Sequence, residues 1–132
     1  MSKYQYFSLG NNIYKPWISV TLGYKKTSRI TSPSIALIDS GADVCLCSKD
    51  IGIWLGIPFD KKSRVTLIAA NKTKFQTIKE TITLYACGKK YECPFYFSDS
   101  LPPVTPIILG QKGFFDHFKI TFDLPNKEIT IL

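Results

Sequence analysis

The chain has 132 residues, of which 45% are hydrophobic, and its formal net charge is +7. This length fits one domain, residues 1–132, with a core large enough to need no stabilising metal or disulfide. No stretch approaches the roughly 18 uninterrupted apolar residues that span a bilayer, and the polar start lacks the layout of a secretory signal. We therefore expect an intracellular, cytoplasmic protein with no signal peptide and no membrane segment.

The positive charge permits contact with nucleic acid, because basic surfaces attract polyanions. The basic residues are nevertheless spread over separate loops and hairpin tips: Lys25-Lys26, Lys61-Lys62 with Arg64, Lys72 with Lys74, and Lys89-Lys90. This distribution is typical of solvated turns, so no nucleic-acid partner is expected.

Four cysteines are present: Cys45, Cys47, Cys87 and Cys93. Cys45 and Cys47 are two apart on a predicted strand, which is a poor spacing for a bridge. If Gly88-Lys89 forms a two-residue turn, the other two cysteines are out of register as well. The chain has one histidine and no metal-ligand spacing. We expect reduced cysteines, no metal and no cofactor.

In chain order, alternation predicts an edge strand over 4–9, with a partner that the sequence does not reveal, and a second strand over 17–22. An apolar strand at 35–38 and a strand at 44–47 follow. A short helix is predicted over 49–55, because Ser48 is a suitable N-cap and Gly56 a suitable stop.

Two strands, 65–70 and 75–78, flank the polar segment Asn71–Lys74 and predict a hairpin within about 65–80. Its tip has little to bury and could open and close over a groove, as a flap does. An ordinary surface hairpin is the alternative.

A further hairpin is predicted from 81–85 and 91–97, and two strands, 118–122 and 128–132, end the chain. Short strands with frequent turn signals and little helix predict an all-β closed barrel.

The segment Ile35-Ala-Leu-Ile-Asp-Ser-Gly-Ala-Asp43 runs from an apolar strand into a carboxylate. An ionised carboxylate at the end of a buried strand must be paired or hydrogen-bonded. Gly41 permits a tight turn and a close approach, and Ser40 supplies a hydroxyl beside Asp39. The tripeptide alone is also common in ordinary turns.

A second segment, Pro106-Ile-Ile-Leu-Gly110, is followed by a helix-like stretch, Gln111–His117. Together with the Asp39 segment and the intervening hairpin, it resembles the retroviral-type aspartic peptidases, the retropepsins, over most of the chain. The resemblance implies a closed six-stranded acid-protease barrel with one short C-terminal helix. It also implies an active site on a homodimer two-fold axis.

The resemblance implies that Asp39 is catalytic. Aspartic peptidase chemistry needs two close carboxylates that share a proton, and Asp39 is the only aspartate followed by Ser/Thr-Gly. A second copy of the chain must therefore supply the other carboxylate, and a polypeptide is the implied substrate.

The same resemblance implies roles for neighbouring residues. Ser40 would hydrogen-bond to the partner's loop, and Gly41 would contact the substrate backbone. The expected substrate-binding residues are Ala42, Asp43, Leu46, the hairpin tip Ala69, Ala70 and Asn71, and the bracing segment Ile107, Ile108 and Gly110. Plain core packing is the alternative for Ile107 and Leu109.

Three features depart from the family pattern. Ser40 stands where threonine is commoner, Gln111 stands where retroviral members usually carry arginine, and the hairpin tip lacks their glycines. Two other functions remain as alternatives. One is a catalytically silent retropepsin-like dimerisation or binding module, and the other, less favoured, is a basic nucleic-acid-binding barrel.

Overall fold

The computed structural model describes residues 1–132 and contains thirteen strands, one α-helix and one 3₁₀ turn. The elements in chain order are β1 (Ser2–Gln5), β2 (Phe7–Gly10), β3 (Ile13–Lys15), β4 (Trp17–Tyr24), β5 (Arg29–Ile30), β6 (Ser34–Ile38), β7 (Cys45–Ser48), α1 (Lys49–Leu55), the 3₁₀ turn Phe59–Lys61, β8 (Arg64–Ile68), β9 (Lys74–Ala86), β10 (Lys89–Ser98), β11 (Ile107–Leu109), β12 (Ile120–Asp123) and β13 (Glu128–Ile131).

Six strands close into a barrel. Their order is β4-β6-β11-β7-β10-β9, and a second pairing of β9 with β4 completes the ring. The strands β5 and β8 extend the sheet from β4 and β9. The prediction of an all-β closed barrel of six strands is confirmed. Closure leaves these six strands without an open edge, which removes a template for unwanted strand pairing.

The barrel encloses one continuous apolar core. Alternate residues of its strands point inward, as the period of a strand requires, and Leu22, Leu84, Phe95 and Leu109 are completely buried there. Phe114, from the turns after β11, joins the same core. The turns that follow β11 are therefore held against the barrel by the packing of Phe114 in its core.

The helix α1 confirms its sequence prediction at both ends. The Ser48 side chain accepts a hydrogen bond from the Asp50 N–H, and Gly56 adopts a left-handed conformation at the C-cap. These are local capping interactions.

The prediction of a C-terminal helix over Gln111–His117 is wrong, and α1 is the single α-helix. The N–H groups of Phe115 and Asp116 bond carbonyls five residues earlier instead of four. Gly113 has a φ of +107°, and a Cβ atom at this residue would lie 3.0 Å from Cys45 Sγ. Packing onto β7 thus replaces helical geometry with a series of turns.

The two predicted hairpins are present, with different boundaries. β8 pairs with the first part of β9, and β9 continues without a break through Ala86 to pair with β10. The turn between β9 and β10 is Cys87-Gly88, where both residues have positive φ, rather than Gly88-Lys89. Cys93 therefore lies opposite Ile82, and all four cysteines are free.

The single N-terminal strand predicted over 4–9 is wrong in extent. The chain divides at Tyr6 into β1, which pairs with β13, and β2, which pairs with β3. β13 also pairs with β12 in a three-stranded sheet. The partner of the N-terminal segment is thus the end of the chain.

Candidate active site

Asp39 lies where β6 leaves the barrel. Its backbone N–H donates to the Leu109 carbonyl at 3.0 Å, which continues the parallel pairing of β6 with β11. The strand β11 lies between β6 and β7, so the loop from residue 39 to 44 must cross its end. The strands β6 and β7 are neighbours in the sequence but do not pair with each other. Each pairs instead with β11, which lies about seventy residues after β6 in the chain.

Hydrogen bonds within the loop hold the Asp39 side chain. The Gly41 N–H donates to Asp39 Oδ1 at 2.9 Å, and the Ala42 N–H donates to the Asp39 carbonyl at 3.2 Å. The side chain is half-buried. A carboxylate held by a backbone N–H keeps one orientation while its other oxygen stays free for chemistry.

Gly110 lies directly beneath this loop. A Cβ atom at residue 110 would lie 2.2 Å from the Val44 carbonyl oxygen and 2.7 Å from the Ala42 carbonyl oxygen. Only glycine permits this approach. The next residues bind the loop through their backbones, because the N–H groups of Gln111 and Lys112 donate to the carbonyls of Ala42 and Asp43.

The Cys45 thiol lies behind the loop. It accepts a hydrogen bond from the Gly110 N–H at 3.4 Å and is fully buried. Burial raises the pKa of Cys45 to about 11. The thiol therefore stays protonated at neutral pH and acts as a packed structural group, because the nucleophilic form is the thiolate.

A groove of about 470 Å³ opens in front of the loop. The loop forms one wall, β7 and β11 form the floor, and the hairpin of β8 and β9 forms the opposite wall. Its lining residues are Asp39, Gly41, Ala42, Asp43, Val44, Leu46, Thr66, Leu67, Ile68, Ala69, Ala70, Phe75 and Ile108. The lining is mostly apolar, and both ionisable groups in it are carboxylates.

The hairpin tip is a tight, polar turn. The Ala69 carbonyl accepts a hydrogen bond from the Lys72 N–H at 2.8 Å, and Asn71 Oδ1 accepts one from the Thr73 N–H. Lys72 has a φ of +65°. Residues 70–74 are all exposed, so the tip is held by its own hydrogen bonds and little else.

Most of the residues predicted for the site lie together on this groove. Asp39, Gly41, Ala42, Asp43, Leu46, Ala69, Ala70 and Ile108 line it, whereas Ser40, Asn71, Ile107 and Gly110 do not. Ile107 is completely buried, because alternation along β11 turns it into the core while Ile108 faces the groove. Gly110 supports the loop from below.

Five groove residues were not predicted from the sequence: Val44, Thr66, Leu67, Ile68 and Phe75. Ile68 could have been predicted, because an isoleucine beside a polar hairpin tip leaves apolar surface exposed, and such surface is typical of a binding groove. Ile68 is 67% exposed.

The structure also bears on metal binding and on membrane-spanning helices. No group of three or more His, Cys, Asp or Glu side chains is placed to hold a metal ion. No helix has the length and apolar character of a membrane span.

Comparison with known proteins identifies the fold. No family model matches the chain, and no curated protein matches its sequence. A retropepsin-like aspartic protease from Rickettsia conorii matches with a TM-score of 0.65 and 15% identity, over 100% of this chain and 99% of that one.

Two other solved structures match well. The retroviral protease-like domain of Ddi1 from Leishmania major has a TM-score of 0.59 and 16% identity, over 89% of this chain and 87% of that one. EIAV protease, complexed with the inhibitor HBY-793, has a TM-score of 0.53 and 18% identity, over 80% and 86%. The chain therefore has the fold of the retropepsin-like aspartic proteases.

Proposed function

We propose that this protein is an aspartic endopeptidase in which two Asp39 carboxylates, one from each subunit of a homodimer, activate a water molecule. The observation that carries the proposal is the position of Asp39. It is hydrogen-bonded by Gly41 N–H, half-buried, and located on an apolar groove whose opposite wall is a hairpin.

The proposed chemistry depends on two adjacent carboxylates. When they share one proton, the ionised group accepts a proton from the attacking water, and the protonated group polarises the scissile carbonyl. The Gly41 N–H holds one oxygen of Asp39, which leaves the other for water. No group in the groove is a base other than a carboxylate.

The homodimer is proposed because each chain supplies only one carboxylate in the required position. The groove contains Asp39 and Asp43, and only Asp39 lies at the end of a barrel strand within the hydrogen-bonded loop. A two-fold axis through the loop brings two copies of one residue together, since both copies present the same surface.

A polypeptide with apolar side chains is the proposed substrate. Ala42, Leu46, Phe75 and Ile108 give the groove apolar walls, which favour burial of apolar side chains beside the scissile bond. Asp43 is exposed at the groove and would bind the substrate main chain. Residues 65–80 would act as a flap that excludes water on closing.

The decisive experiment is digestion of a denatured proteome at several pH values, with and without pepstatin, followed by mapping of the new termini. Asp39→Asn is the matched inactive variant. We expect cleavage between apolar residues, inhibition by pepstatin, and a bell-shaped pH dependence with an optimum of roughly pH 4 to 6, because one proton is shared.

Other outcomes would contradict the proposal. Equal cleavage by Asp39→Asn, a rate still rising at pH 9, or inhibition by chelators would indicate a different chemistry. A stable dimer with no turnover under any condition would support a silent binding module. Analytical ultracentrifugation across a wide concentration range tests the dimer, and a monomer that cleaves peptides would refute the shared site.

A further inference from the structure

Gln111 holds the active-site loop through its side chain as well as its backbone. Its Nε2 donates a hydrogen bond to the Ser40 carbonyl oxygen at 2.7 Å. A carbonyl oxygen can only accept a hydrogen bond, so Gln111 binds it through the amide NH₂ of its side chain and not through the amide oxygen. The two residues are 71 positions apart in the sequence.

The bonded carbonyl belongs to the peptide that binds the carboxylate of Asp39. The Ser40 C=O and the Gly41 N–H are the two ends of one planar trans peptide, so they point in opposite directions. The Gly41 N–H donates to Asp39 Oδ1 at 2.9 Å. A continuous hydrogen-bond chain therefore runs from Gln111 through this peptide to Asp39.

The Gln111 backbone is itself anchored. Its N–H donates to the Ala42 carbonyl at 2.8 Å, and its carbonyl accepts from the Asp116 N–H at 3.0 Å. Gly110 packs beneath the loop without a side chain. The Gln111 side chain therefore starts from a fixed point that lies within reach of the Ser40 carbonyl.

We infer that Gln111 is a positioning residue of the active site: its side-chain amide fixes the Ser40–Gly41 peptide, so that the Gly41 N–H stays directed at Asp39. The catalytic consequence rests on the proposed function. A hydrogen bond donated to a carboxylate favours its ionised form, and bonds in a chain polarise one another. Loss of the amide donor would free the peptide to rotate away from Asp39.

The test compares Gln111→Leu, which removes the donor, with Gln111→Arg, which restores a donor. Lys26→Leu, an exposed turn residue, is the control for adding a surface leucine. Because Gln111 is exposed, we expect all three variants to keep the parent's melting temperature within about 3 °C. The kcat of Gln111→Leu should fall by roughly tenfold or more, with a small change in KM, while the other two variants retain most activity.

The pH profile supplies a second readout that a merely structural role would not move. In the pH profile of kcat, the acid limb of Gln111→Leu should lie at higher pH than that of the parent, because the ionised Asp39 carboxylate loses the stabilisation of a well-directed hydrogen bond. The other titratable groups near the loop are Asp43 in the groove, the Cys45 thiol behind the loop, Lys112, Asp116 and His117 in the turns, and Tyr91, whose hydroxyl donates to the Gly113 carbonyl. They are identical in all variants, so a shift confined to Gln111→Leu arises at the loop.

Nuclear magnetic resonance separates this inference from the proposed function. In ¹⁵N-labelled protein, the Gly41 amide proton should titrate with Asp39, and Asp39→Asn should abolish the effect. In Gln111→Leu the Gly41 amide proton resonance should move upfield, because its hydrogen bond to Asp39 is weaker, and its pH-dependent shift should occur at higher pH. If the parent cleaves nothing but these shifts occur, the positioning role stands and the proposed function fails. An unchanged Gly41 resonance together with unchanged kcat in Gln111→Leu would overturn the inference.

Discussion

The close packing of Gly110 beneath the loop of residues 39–44 yields a quantitative prediction for Gly110→Ala. The new Cβ atom would meet the Val44 carbonyl oxygen at 2.2 Å, against an ordinary contact of at least 3.4 Å, a shortfall of about 1.2 Å. The obstacles are backbone atoms on both sides of the loop, so no side chain can rotate away. The loop or β11 must move.

The free energy of unfolding should fall by about 3 to 5 kcal/mol. Overpacking of this kind costs about 1 to 3 kcal/mol. Displacement of the loop also strains the hydrogen bonds that Gln111 and Lys112 donate to it, at about 1 kcal/mol for each bond. For a chain of this size 1 kcal/mol corresponds to about 3.6 °C, so the melting temperature should fall by roughly 11 to 18 °C.

Urea unfolding at neutral pH measures this loss, and two other glycines serve as controls. A Cβ at Gly88 meets nothing within 4 Å, but its φ is +76°, so Gly88→Ala should cost only about 1 to 2 kcal/mol. In Gly41→Ala the Cβ would lie 3.2 Å from Asp39 Oδ1, which should lower activity more than stability. If Gly110→Ala is as stable as Gly88→Ala, the loop does not depend on this contact.

Three further predictions test the dimer, the hairpin and an ion pair. Mixing the parent with an equal amount of Asp39→Asn should lower activity per parent subunit by about half once subunits exchange; full retention, with exchange verified by a tagged subunit, would show that each chain has its own site. Asn71→Pro should lower kcat and leave the melting temperature nearly unchanged, because proline is disfavoured at this turn position and the tip buries little; equal losses would make the hairpin structural. Glu80 is bonded by Lys62 Nζ at 2.6 Å and by the Tyr24 hydroxyl. Burial alone would raise the pKa of Glu80, but the hydrogen bonds from Lys62, the Thr81 N–H and Tyr24, together with the charge of Lys62, outweigh burial and lower the pKa. Its stabilisation is therefore present at neutral pH and is lost as pH falls below about 4. Glu80→Gln should be about 1 to 2 kcal/mol less stable than the parent at pH 7, and this difference should shrink as the pH falls through the lowered pKa of Glu80; a difference that does not shrink on acidification would contradict this reasoning.

The sequence alone determined the features that depend on near neighbours. Ser48 and Gly56 set the ends of α1, because capping groups act within one turn of the chain. Strand periodicity and turn residues indicated a closed barrel, and the Asp39-Ser-Gly segment indicated a loop with a held carboxylate. Each of these needs only a few adjacent residues to be recognised.

Only the tertiary structure decided how distant segments meet. The turns that replace a helix at 111–117 follow from the packing of Gly113 against Cys45, which no local pattern encodes. Thr66, Ile68 and Phe75 reach the groove because β8 and β9 fold over it. The bond from Gln111 to Ser40 joins residues 71 positions apart. Local sequence specifies local geometry, whereas such contacts exist only after barrel closure brings the segments together.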